Sequence, residues 1–124
     1  MGINTILVVD DNEGDQLLAQ ITIEQFDKNI KVLQAFDGNE ALDILLTSLD
    51  RPDVILLDIN MPGMNGHEFL ERYTEYAADS YVVVMLTTSD QSTDREKCEA
   101  YPFVKKYLMK PLTVDNLKEI AGLL

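Results

Sequence analysis

Apolar positions along this chain fall into two alternating kinds of run. Ile6-Leu7-Val8-Val9, Val54-Ile55-Leu56-Leu57 and Tyr81 to Leu86 are short, unbroken and rich in β-branched residues. Each is too short for a helix and shows no polar alternation, the pattern of a strand buried on both faces. Between them apolar residues recur at the three- and four-residue spacing of one helix face. From Glu13 to Phe26 these are Leu17, Leu18, Ile21 and Phe26. Ile30 to Phe36 reads as a second strand. Asp37 and Glu40 stand at capping-box spacing before Ala41, Leu42, Leu45 and Leu49. Pro62-Gly63-Met64-Asn65-Gly66 predicts a turn before a helix through Phe69, Leu70 and Tyr73. Ser92 to about Ala100 predicts a fourth helix with only Cys98, Ala100 and Tyr101 to bury. Phe103 to Met109 gives a fifth strand, and Thr113 caps a last helix carrying Leu117, Ile120 and Leu124.

Five strands alternating with five helices imply βαβ units, hence an α/β fold with a parallel sheet covered on both faces. Right-handed crossovers leave few topologies. No linker or low-complexity tract interrupts the pattern, so residues 1–124 are expected to form one domain.

Composition changes the picture in one respect. The chain carries 22 acidic against 10 basic residues, a net charge of −12. That field repels phosphate backbones and anionic lipid, so no direct nucleic-acid or membrane partner is expected. It favours cations and basic protein surfaces. Cys98 is the sole cysteine and cannot form an internal disulfide. The start of the chain shows no signal-peptide pattern, and no apolar run approaches the roughly 20 residues of a membrane span. A cytoplasmic location is the expectation.

Three predicted strands end in polar residues: Asp10-Asp11, Asp58 and Thr87-Thr88-Ser89. Lys110 follows the fifth. In a parallel sheet these ends lie along one edge, where ligands bind near the point at which strand order reverses. One aspartate at a strand end is an ordinary turn or cap; several ends agreeing point to an acidic cleft with a hydroxyl and an ammonium. Two carboxylates about 4 Å apart repel by roughly 4 kcal/mol at an effective dielectric of about 20. Three together call for positive charge, from Lys110 and from a hard cation with oxygen ligands, for which Mg²⁺ is the natural candidate. Zinc is disfavoured because the cleft offers no Cys or His pair. His67, the single histidine, reads as a solvated surface residue.

Taken in order, Val8-Val9-Asp10-Asp11, Leu56 through Gly66, Met85-Leu86-Thr87 and Tyr107 with Lys110-Pro111 resemble the receiver domains of two-component response regulators, over essentially the whole chain. The resemblance implies a flavodoxin-like (βα)5 fold with strand order 2-1-3-4-5; the handedness and period arguments do not give that order. It implies that Asp58 is the phosphoryl acceptor and that Asp11 and Asp58 hold Mg²⁺ directly with the backbone carbonyl of Asn60. Asp10 would act mostly through bound water. Lys110 would neutralise the phosphoryl group, Thr87 would hydrogen-bond it, and Tyr107 would rotate inward. The face built by the fourth helix, fifth strand and fifth helix would then change for a downstream protein target. A cis Lys110-Pro111 bond is a further implication, as is a histidine kinase or phosphotransfer protein as phosphodonor. Such a domain signals and is not a dedicated enzyme.

Three rival readings fit less well, one of them a non-phosphorylated adaptor of the same fold, against which the intact acidic set argues. Asp58-Ile59-Asn60 resembles the nucleophile loop of haloacid-dehalogenase-type phosphatases, but their second aspartate is Asn60 here. A flavodoxin would have to cradle a phosphate in its first loop, where Asp10-Asp11-Asn12-Glu13 repels one. Nothing resembling an output domain follows the last helix before Leu124, so a single-domain regulator or a receiver fragment is expected.

Overall fold

The computed structural model describes residues 2–47, 51–76 and 82–124. Ten elements alternate in chain order: β1 (Thr5–Val9), α1 (Glu13–Phe26), β2 (Lys31–Ala35), α2 (Gly38–Thr47), β3 (Val54–Leu57), α3 (Gly66–Tyr76), β4 (Val82–Thr87), α4 (Ser92–Glu99), β5 (Val104–Met109) and α5 (Val114–Ala121). The strands pair in parallel in the order β2-β1-β3-β4-β5, the expected flavodoxin-like doubly wound sheet. Leu49 and Tyr81, assigned above to a helix stripe and a strand, lie outside the described residues.

The unbroken apolar runs are divided residue by residue between two cores. Leu7, Val9, Ile55, Leu57, Val83 and Met85 face one side with Ala41, Leu42, Phe69, Leu70, Tyr73 and Cys98. Ile6, Val8, Val54, Leu56, Val84 and Leu86 face the other, against Ala19 and Ile23 of α1 and Leu117 and Ile120 of α5. Successive side chains of a strand point to opposite faces, so a strand covered on both sides needs no polar positions. Edge strand β2 is only partly covered.

The apolar face of α1 differs from the expected one. Leu17, Leu18 and Ile21 are 57%, 55% and 43% exposed, while Gln16, Ala19 and Ile23 are buried. Positions 16, 19, 23 and 26 form the inward stripe, with Phe26 packed against its core. The first place in that stripe is polar because it serves the sheet edge. The Gln16 amide nitrogen lies 2.9–3.0 Å from the carbonyl oxygens of Val8, Asp10 and Ala35, which share its two protons. Three converging carbonyl oxygens require the nitrogen, not the oxygen, at that place.

The other helices follow their sequence signals more closely. Asp37 caps α2 through the Glu40 amide at 2.8 Å, and Thr113 closes a capping box with Asn116 on α5. Leu117 and Ile120 are buried, but Leu124 lies beyond α5 and is exposed. In α4 only Cys98 is buried; Ala100 is exposed, and Tyr101 packs partly against the core.

Candidate functional site

The order reverses at β1, since the chain crosses from β1 outward to β2 and then back past β1 to β3. The candidate residues stand just beyond the strand ends there, each held by one further rung of the ladder. Asp10 N–H donates to Ala35 O at 3.0 Å, Asp58 N–H to Val9 O at 3.0 Å and Lys110 N–H to Thr87 O at 2.9 Å. Side chains from three strands are thus aimed into one cleft by backbone pairing. The loop after β3 is tied to the same edge. Gly66 N–H donates to Ile59 O at 2.8 Å, and a Cβ at Gly66 would collide with the Asp58 carbonyl oxygen.

Lys110 Nζ lies 2.6 Å from Asp10 Oδ2, 2.8 Å from Asp15 Oδ2 and 2.9 Å from Asp58 Oδ2. The side chains of Lys110, Asp10 and Asp58 are 13%, 6% and 8% exposed. Burial alone would lower the Lys110 pKa, but hydrogen bonds to the three carboxylates outweigh it and hold the group well above its ordinary range. Burial raises the Asp10 pKa despite the opposing Lys110 hydrogen bond. The second oxygens of both buried carboxylates are also used: Asp10 Oδ1 accepts from Asn12 N–H at 2.9 Å and Asp58 Oδ1 from Ile59 N–H at 2.8 Å.

Asp10, Asp11 and Asp58 each present a carboxylate oxygen within 4.8 Å of the others. Octahedral Mg²⁺ with bonds near 2.0–2.1 Å places its ligand oxygens about 3–4 Å apart, so a small closure of these side chains suffices. An all-oxygen donor set suits a hard cation, and Asp11, the exposed member, opens toward solvent. Asn60 is also exposed, two residues past Asp58.

Thr87, fully buried, accepts from Ser89 N–H at 3.2 Å. The Tyr107 hydroxyl donates to Ser89 O at 2.8 Å, and the Arg95 guanidinium lies 5.5 Å from its ring centre. Ser89 Oγ donates to Asp94 Oδ2 of α4 at 2.6 Å. That bond, with the His67 contact, holds the Asp94 carboxyl below the usual carboxylate range.

The expectation of a solvated His67 needs correction. Its Nε2 meets Asp94 Oδ1 at 2.9 Å, its Nδ1 lies 3.9 Å from Cys98 Sγ, and three-quarters of the side chain is covered. α3 packs against α4 there, and the ring bridges the two helices. Burial pushes the Cys98 thiol up to about 11, so it is a packed, unreactive thiol. Gln16, Asp15 and Asp94 escaped the sequence reading. Each makes its key contact through tertiary placement, which spacing alone does not reveal. Lys110-Pro111 is cis, as the resemblance implied.

The Gln16 contacts carry a prediction. Gln16→Leu leaves the Asp10 carbonyl without its side-chain donor, and a buried unpaired polar group costs about 1–3 kcal/mol. A urea midpoint lowered by that amount is expected; an unchanged midpoint would show that the amide is dispensable.

The response regulator receiver domain model matches residues 6–121. The protein PilH of Pseudomonas aeruginosa is 33% identical over 113 residues, 90% of this chain and 89% of PilH. The autoinducer 1 sensor kinase/phosphatase LuxN of Vibrio campbellii is 31% identical over 95% of this chain, which spans only 13% of LuxN. Among solved structures, a two-component response regulator from Cytophaga hutchinsonii superposes with a TM-score of 0.90 at 27% identity, covering 99% of this chain and 97% of that one. The Mn²⁺-bound form of response regulator Rcp1 does so at 0.77 and 29%, covering 97% and 91%.

The chain belongs to the response regulator receiver domains, the phosphorylated signalling domains of two-component systems. Receiver domains interact with histidine kinases and phosphotransfer proteins. Among the described residues no helix is long and apolar enough to cross a membrane.

Proposed function

We propose that Asp58 accepts the phosphoryl group, from the phosphohistidine of a histidine kinase or phosphotransfer protein. The observation that carries this reading is Asp58 buried at a strand end, one oxygen on a backbone amide and the other 2.9 Å from Lys110 Nζ. The carboxylate oxygen attacks phosphorus, the phosphorus–nitrogen bond breaks, and the imidazole leaves with its electron pair. Lys110 offsets the charge brought into the cleft.

Mg²⁺ fits the donor set: Asp11, Asp58 and the Asn60 carbonyl would hold it, with Asp10 acting through water, and it would supply charge neutralisation at the phosphoryl oxygens. The Mn²⁺-bound form of Rcp1 supports a divalent cation in such a domain. The exposed Leu17, Leu18 and Ile21 lie on α1, the helix that also brings Asp15 to Lys110. They offer the phosphodonor protein an apolar contact beside the acceptor. The domain acts in the cytoplasm as a signalling module, not as a dedicated enzyme, and binds neither nucleic acid nor membrane directly.

The response runs through Thr87. Its oxygen already accepts from Ser89 N–H, which leaves its proton for a phosphoryl oxygen. Drawing Thr87 toward Asp58 moves Ser89, which holds Tyr107 through its carbonyl and α4 through Asp94. Tyr107 turns inward, and the α4-β5-α5 face is remodelled for a downstream protein target. Since α4 buries only Cys98, little apolar burial holds it in place.

Thr87→Ala should therefore still take label from acetyl phosphate with Mg²⁺ while losing most of the response. In the wild type, amide exchange across Ser92 to Tyr107 should change more on phosphorylation than across Asp15 to Phe26. An undiminished change in Thr87→Ala would refute the hydroxyl relay, and the reverse ordering of the two segments would refute the output face.

A further inference from the structure

We propose that Asp15 is a positioning residue for phosphoryl transfer, holding the Lys110 ammonium beside Asp58 while a cation and a phosphodonor occupy the cleft. The inference rests on the reading of Asp58 as the acceptor and adds to it a residue outside the acidic cluster.

The ammonium has three protons and meets three carboxylates: Asp10, Asp15 and Asp58. Asp10 and Asp58 also belong to the group placed to hold a cation; Asp15 does not. A bound dication competes for those two carboxylates and repels the ammonium. Phosphorylation then turns the Asp58 carboxylate into an acyl phosphate, a mixed anhydride, and weakens it as an acceptor. Asp15 is the one partner whose hold on Lys110 neither event removes.

The local structure of α1 frees Asp15 for this role. Asp15 is the third residue of the helix, and its own N–H donates to Asn12 Oδ1 of the cap at 2.9 Å. In a capping box the side chain at this position returns to the amide of the cap residue. Asn116 does so in α5, accepting from Thr113 N–H at 3.0 Å. In α1 the Asn12 amide is already bonded to Asp10 Oδ1. The Asp15 carboxylate is released and reaches Lys110, 95 residues away in the chain. Gln16, bonded to the strand-end carbonyls, fixes the helix turn from which Asp15 projects. Asp15 is 36% exposed, so its replacement opens no core.

The test compares wild type, Asp15→Ala and Asp15→Asn with acetyl phosphate as phosphodonor at saturating Mg²⁺. Asp15→Ala should label about tenfold more slowly, as misplacement of a reacting group's partner does. Asp15→Asn keeps one acceptor oxygen and should recover part of that rate. Mg²⁺ affinity should change by less than about threefold, because Asp15 is no ligand and its field is screened at the cleft edge. The Lys110 ammonium resonance in ¹H–¹⁵N spectra gives a readout independent of labelling. With Mg²⁺ it should persist in wild type and be lost to fast exchange in Asp15→Ala. An Asp15→Ala protein that labels at the wild-type rate with its ammonium signal intact would overturn the proposal. A wild type that takes no label, while its ammonium signal still depends on Asp15, would overturn the acceptor reading and leave the tether standing.

Discussion

Lys110→Ala is expected to lose about 3 kcal/mol of stability in the absence of metal, near the lower end of the cost of breaking a buried ion pair. Asp10 and Asp58 are almost fully covered, and their Oδ2 atoms share the Lys110 ammonium. Without it two buried carboxylates face each other uncompensated. The third partner, Asp15, is partly exposed and adds little, since water screens it.

The sign of the pH dependence follows from Asp10. Its carboxyl is raised above 3.8 even with Lys110 present. A raised acid destabilises the fold as pH climbs from the unfolded value through the folded one, and acidification relieves that cost. The variant should therefore approach wild type in acid and fall furthest behind at neutral pH. Mg²⁺ should restore part of the loss, because it binds only the assembled site, and a chelator should remove the gain. Urea denaturation at two pH values, with and without Mg²⁺, checks all of this. A variant within about 0.5 kcal/mol of wild type at neutral pH, the range of an ordinary surface substitution, would show that the ammonium does not hold the cleft together.

Asp58→Asn is expected to remove labelling entirely while leaving the fold intact. Asparagine has the same shape, and its carbonyl oxygen can still accept from Ile59 N–H, but its amide cannot attack phosphorus. Asp10 and Asp11 remain in the variant as a control within the same cleft. Neither occupies the place of Asp58, which directly follows β3, the central strand between β1 and β4. Residual labelling at a wild-type rate would transfer the acceptor role to one of them.

The sheet was legible because a strand covered on both faces leaves a signal that needs no context. Ile6 to Val9 and Val54 to Leu57 read as strands before their two cores are known. The inward face of α1 was not legible. Its core stripe begins with Gln16, whose polarity is explained only by the carbonyls of β1 and β2 that it satisfies. Leu17, Leu18 and Ile21 have helical spacing as well, so periodicity alone favoured the wrong face. The acidic cleft could be read from strand ends, because parallel strands bring such ends to one edge. Asp15 could not, since a helix-start aspartate usually serves its own helix. His67 was misjudged for a similar reason: its partners Asp94 and Cys98 come from α4, which packs against α3 only in the folded chain.

The central claim is that Asp58 carries the phosphoryl group, and peptide mapping tests it most directly. The protein is incubated with acetyl phosphate and Mg²⁺, the acyl phosphate is trapped by borohydride reduction, and the digest is sequenced by mass spectrometry. One reduced side chain, at position 58, is the predicted result. Reduction at Asp10, Asp11 or a residue outside the cleft, with position 58 unmodified, would contradict it.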